Sequence, residues 1–202
     1  MKQLILASQS PRRKDLLSQL GYQFVTQPAD IDESVQPNEN AENYVLRLAK
    51  EKAQAIFINL SEQEQTDVVV VGSDTSVVID GDILGKPRDE ADCIATLLRL
   101  ENKRHQVLTA VSAVTQNPIN KKIIITSKLV ETQVYFKALT VNEIKCYWNT
   151  GEPCDKAGSY AIQGIGGQFI IAINGSYSAV VGLPLYETSQ LLAQVGLPSS
   201  LS

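Results

Sequence analysis

The chain has 202 residues, of which 44% are hydrophobic and 20% charged, and its formal net charge is −4. This is the composition of a globular protein, long enough for one large domain or for two small lobes sharing a core. The mild acidity argues against a DNA or RNA binder, and no apolar run approaches the length of a membrane span, so any anion bound here is small and held by a local cluster.

The elements follow in chain order. QLILAS is a short apolar run suited to a buried strand, too short to be a signal peptide. The spacing then predicts a helix from Pro11 to about Leu20, with Ser10 as N-cap, Pro11 in the first turn and Gly21 as the stop. YQFVTQ alternates like a strand, and QPNEN leads into a helix over about Ala41 to Ile58. DVVVVG reads as a strand covered on both faces, ending in Gly-Ser-Asp-Thr, and SVVIDGDILG as a hairpin around Asp80-Gly81. A helix over about Asp89 to Leu100 precedes two long β-rich stretches, from about His105 to Lys137, joined at QNPINK. A further helix spans about Val141 to Asn149. The stretch GSYAIQGIGGQFIIAINGSYSAVVG is punctuated by glycine and carries a hairpin signal at Asn174-Gly175. A last helix runs from about Leu185 to Gln194, stopped by Gly196 and Pro198. The expected fold is α/β: a mixed central sheet flanked by helices, with a smaller lobe, in a single domain over 1–202.

Cys93, Cys146 and Cys154 fit no zinc or CxxC spacing and read as free thiols of a reducing, cytoplasmic setting. With one histidine, His105, a soft-ligand metal site is disfavoured, which leaves a hard cation on carboxylates and phosphate.

Charge sits oddly in four places. Arg12 and Arg13 occupy the first turn of a helix, where the macrodipole is already positive, beside Ser8, Ser10 and free backbone N–H groups. This is either an incidental basic helix start or a phosphate cradle. Lys52 falls in the middle of the stripe formed by Val45, Ala49 and Ile56; it either snorkels to the surface or reaches an anion. Asp74, where the apolar strand is expected to end, is a candidate base or metal ligand, or else an ordinary turn aspartate; Glu33, in DIDES, is a carboxylate that can share a hard cation with it. Lys86 precedes Pro87 in GKPRD, and Gln163 lies in AIQGIGG, where its amide can read a donor–acceptor edge. Together these residues supply what a metal-bridged polyphosphate needs, beside a carboxylate that can position water.

The segments LASQSPRRKDLL, ADIDES, YVLRLAKEKA, VVGSDT, LGKPRDEADC, GEPCDKAGSYAIQGIGG and INGSYSAVVGLPL resemble the Maf family of nucleoside triphosphate pyrophosphatases, from Leu4 to about Leu192. The resemblance implies a mixed α/β, ITPase-like fold with a deep cleft between two lobes. It also implies hydrolysis between the α- and β-phosphates, releasing monophosphate and pyrophosphate. The family's dTTP/UTP branch is similar to this chain at Arg12, Thr75 and Gln163; the branch acting on 7-methyl-GTP typically has tryptophan, glutamine and glutamate there. Carried onto matching positions, the family roles make Asp74 the proton acceptor. Arg12, Thr75 and Gln163 set specificity, while Arg13, Lys52 and Lys86 contact phosphates, with Ser8 and Ser10 beside them. Glu33 and Asp74 hold a divalent cation, Mg2+ or Mn2+. The chain departs from the pattern at Cys154, where an aliphatic residue is more usual, a position with no proposed role. Relatives also suggest a homodimer. The rival expectation is a nucleotide-binding regulator of cell division, with incidental hydrolysis. A P-loop ATPase is disfavoured because no GxxxxGK[ST] segment occurs.

Overall fold

The computed structural model describes residues 2–199. Its seven-stranded mixed sheet has the order β2-β1-β3-β5-β6-β7, with β4 paired to β3. The strands are β1 (Gln3–Leu6), β2 (Val25–Thr26), β3 (Val68–Ile79), β4 (Asp82–Leu84), β5 (Arg104–Gln116), β6 (Ile123–Phe136) and β7 (Ile170–Asn174). The helices are α1 (Pro11–Gln19), α2 (Ala41–Ile58), α3 (Glu62–Thr66), α4 (Glu90–Leu100), α5 (Val141–Trp148), α6 (Tyr177–Val181) and α7 (Leu185–Gln194). The expected mixed sheet flanked by helices is the observed one. Among the described residues, no helix is long and apolar enough to cross a membrane.

The chain forms two compact units. The first takes in the chain up to Asp74, Thr109–Val130 and the chain from Gly182; the second takes in Thr75–Leu108 and Glu131–Val181. In the first, β1 runs parallel to β3, pairing Gln3 with Val68 through Leu6 with Val71, and parallel to β2 on its other side. The residues Val68–Val71 are all buried, as a strand covered on both faces requires. Ala53, Ile56 and Phe57 of α2 pack against Ile5, Val68, Val70 and Val114.

The second unit has its own core. Leu97 and Leu100 of α4 and Ile144 and Tyr147 of α5 meet Val77, Ile79, Val134, Phe136 and Phe169. The Phe136 ring takes edge contacts from His105 at 4.9 Å and Tyr160 at 4.8 Å between centroids. His105 is 2% exposed and its Nε2 lies 2.8 Å from the Tyr160 hydroxyl. Burial pushes its pKa down to about 4, so the ring is neutral at pH 7.

Three sequence expectations are corrected and one element is added. The strand over DVVVVG does not end at Gly-Ser-Asp-Thr: β3 continues through Asp74 to Ile79, because β-branched residues resume at once and pair with β4, Val77 opposite Leu84. The YQFVTQ strand shrinks to Val25–Thr26, both exposed. SEQEQT contains α3, whose capping box between Ser61 and Glu64 is legible in the sequence. Finally, Asn174-Gly175 makes no hairpin. Asn174 ends β7, and Ser176 starts α6 by accepting from Ala179 N at 3.2 Å while its own N–H donates to Thr132 Oγ1 at 3.0 Å.

Candidate active site

The site in the first unit begins with a close approach. A Cβ on Gly72 of β3 would lie 2.2 Å from Ala49 O and 2.8 Å from Ala53 N, so only glycine lets β3 press directly on the α2 backbone. Lys52 lies on that same face of α2, with Val45, Ala49 and Ile56, and is 9% exposed. Two residues beyond Gly72, the 8%-exposed Asp74 receives it: Lys52 Nζ donates to Asp74 Oδ1 at 2.7 Å. The same ammonium lies 2.7 Å from Glu33 Oε1. Lys52 therefore bridges the two carboxylates that the sequence nominated for a cation. An ammonium has three N–H donors, and one remains for an incoming anion.

At the start of α1, Ser8 Oγ accepts from Ser10 N at 3.1 Å, and Ser10 Oγ caps the helix by accepting from Arg13 N at 3.4 Å. Both serines thus shape the turn that carries the arginines. Arg13 Nε donates to Gly182 O at 2.8 Å, which aims the guanidinium; the Ser73 hydroxyl shares that carbonyl at 3.0 Å. Burial pushes the Arg13 pKa down, opposed by Asp74, deepened by Arg12 and opposed again by Glu33. Those are the charges of one cluster. Arg12 is half-buried and has no anionic partner among the described residues.

The acidic loop is held by two residues that the sequence reading passed over. The Tyr44 hydroxyl donates to Glu33 O at 2.9 Å, and Arg47 Nη2 donates to Ser34 O at 2.9 Å. Arg47 is itself fixed by Glu39, at 2.6 Å and 2.7 Å, in a bidentate pair that holds the Glu39 pKa down at about 2. Burial first, then the Asp74 and Glu33 carboxylates, push the Tyr44 phenol up to about 12. Helical spacing gives no signal for them: Tyr44 and Arg47 precede Lys52 by eight and five residues, off the positions three and four apart that bring helix side chains together.

A profile of the Maf-like protein family matches residues 3–195. The chain belongs to this family. Its relatives include a dTTP/UTP pyrophosphatase of Colwellia psychrerythraea, 58% identical over 99% of this chain and 92% of that protein. One of Vibrio vulnificus is 54% identical over 95% of this chain and 98% of its own length. Another, of Aliivibrio fischeri, is 53% identical over 95% and 97%.

The remaining nominated residues of this Maf-like chain lie in its second unit. Thr75, half-buried, follows Asp74 along β3. Lys86 is exposed beside the buried Pro87 and has no anionic partner among the described residues. Gln163 is exposed in a turn leading into a 3-10 segment, Ile165–Phe169. Among the described residues, no group of three or more His, Cys, Asp or Glu could hold a metal ion. The donors present, Glu33 and Asp74, still suit Mg2+ or Mn2+, which take one or two carboxylates and complete their shell with substrate phosphate and water.

Proposed function

We propose that this Maf-like protein hydrolyses dTTP and UTP between the α- and β-phosphates, yielding the nucleoside monophosphate and pyrophosphate. The observation that carries this reading is Lys52 held 2.7 Å from both Asp74 and Glu33, in the electrostatic field that also reaches Arg13. Relatives at 53% to 58% identity that bear the name dTTP/UTP pyrophosphatase support the same chemistry.

In this proposal, Asp74 orients the attacking water and accepts its proton. Lys52 turns its remaining N–H toward the triphosphate while its other two stay on Asp74 and Glu33. Arg13 and Lys86 bind phosphate oxygens and stabilise the charge that grows on departing pyrophosphate. Arg12 and Thr75 help to select the substrate, and Gln163 meets the imide edge of thymine or uracil, donating to its carbonyl and accepting from its N–H. Glu33 and Asp74 would hold the divalent cation, which neutralises phosphate charge when bound. The two-lobed nucleotide cleft, a cytoplasmic setting and a homodimer belong to the same proposal.

The test is a nucleotide panel with Mg2+, comprising dTTP, UTP, CTP and 7-methyl-GTP, scored for pyrophosphate against orthophosphate. Pyrophosphate released from dTTP and UTP is the expected result. Orthophosphate as the primary product would overturn it.

A further inference from the structure

Gln163 sits on exposed, glycine-rich backbone, yet its turn is tightly held from within. The Glu152 carboxylate accepts from two consecutive backbone N–H groups just after it, Ile165 N at 2.8 Å on Oε2 and Gly166 N at 2.9 Å on Oε1. Behind the carboxylate stands Tyr147 of α5, which is 2% exposed. Its hydroxyl donates to Glu152 Oε1 at 2.7 Å and accepts from Ala161 N at 3.2 Å. The tyrosine ring is braced edge-on against Phe169 at 5.0 Å. The turn is thus fixed at Ala161, two residues before Gln163, and at Ile165 and Gly166, two and three after it. The fit is close, since a Cβ on Gly164 would lie 2.1 Å from Glu152 Oε2. Burial disfavours the charged form of Glu152, but the N–H groups of Gly166 and Ile165 and the Tyr147 hydroxyl outweigh it and hold its pKa below the ordinary carboxylate value.

A side-chain amide has a specificity problem that this arrangement answers. Its oxygen and nitrogen exchange places by a half-turn, so a loosely held glutamine serves the imide edge of uracil and, flipped, the amino edge of cytosine. That half-turn is a rotation of the side chain itself; what a fixed backbone adds is the distance and angle at which the amide meets the base edge, without which either reading is weak. We infer that Glu152, braced by Tyr147, is a positioning residue that holds the Gln163 turn at the distance and angle from which the amide reads the base edge and distinguishes dTTP and UTP from CTP. This inference rests on the base-reading role proposed for Gln163.

The experiment compares kcat/KM for UTP and CTP in the wild type, E152Q, Y147F, Q163A and the E152Q/Q163A double variant, with melting temperatures alongside. In E152Q a glutamine offers one oxygen where two N–H groups need acceptors, so the UTP-over-CTP ratio falls about tenfold, chiefly through a raised KM for UTP, as expected for a loss near 1.4 kcal/mol. Y147F leaves the carboxylate in place and lowers the ratio by a smaller factor. In the Q163A background, E152Q changes the ratio no further, a result that a merely structural loss does not give. If Q163A alone keeps the ratio, the base-reading role fails and takes this inference with it. If Q163A loses the ratio and E152Q keeps it, or if the two losses multiply in the double variant, the positioning role alone fails.

Discussion

The Lys52 cluster of the first unit and the Gln163 turn of the second solve opposite problems. In the first, charge is withdrawn from water and must be satisfied internally: Lys52 is shared between Asp74 and Glu33, and Arg13 is tied to a backbone carbonyl. In the second, the exposed side chain needs nothing from its neighbours, and the order lies in the backbone beneath it, held by Glu152 and Tyr147. One region arranges side chains against each other; the other arranges main chain around a carboxylate. Substitutions in the first should therefore act on turnover and stability together, and those in the second on selectivity.

The largest expected effect comes from Asp74→Asn. Loss of the proton acceptor should lower kcat about 10³-fold while nucleotide binding persists, measured by pyrophosphate release against equilibrium binding. Retained turnover would remove Asp74 from the chemistry. Next is Lys52→Met, which leaves Asp74 beside Glu33 with their shared cation gone. Stability should fall by about 3 kcal/mol, toward the lower end for a broken buried pair because Glu33 is half-exposed, and thermal melts will read it. An unchanged melt would mean that the bridge contributes no stability.

The second unit gives a pH signature of similar size. His105 has its pKa depressed from 6.5 to about 4 by burial, so the unfolded chain binds the extra proton first. Its contribution is complete above pH 6.5 and is lost as the pH falls toward 4, by about 3 kcal/mol. His105→Gln should flatten melting temperature against pH across that window. Glu39, held at about 2 by Arg47, loses its contribution in a lower range, from 4.5 downward, which separates the two regions by titration. The smallest effect is Tyr44→Phe, which frees the backbone carbonyl of Glu33. It should cost about 1 kcal/mol and raise KM severalfold with little change in kcat.

Much of this was legible in the sequence because it rested on local rules. Ser10-Pro11 fixed the start of α1, and the 3.6-residue stripe placed Lys52 on the buried face of α2 before any partner was known. What escaped detection depended on distant chain. Tyr44 and Arg47 look like ordinary helix-surface residues until a loop ten or more residues earlier lies against them. Gly-Ser-Asp favours turns, so the local pattern ends the strand at Asp74, and only pairing with β4 shows that the strand runs on. The Asn174-Gly175 signal failed for a related reason: Thr132, 44 residues upstream, engages Ser176 and starts a helix.

The order in which the chain is made meets an obstacle in Lys2. Its ammonium donates to Val195 O at 3.0 Å and to Thr115 Oγ1 at 3.1 Å, and the Tyr22 hydroxyl donates to Leu197 O at 3.1 Å. Val195 and Leu197 follow their donors by 193 and 175 residues, so these two contacts form only after every residue of the second unit has been synthesised. A nascent chain halted after Val181 would therefore hold every residue of the second unit, while the first, with Lys52 and Asp74, still lacked the segment that supplies the carbonyl to which Arg13 donates.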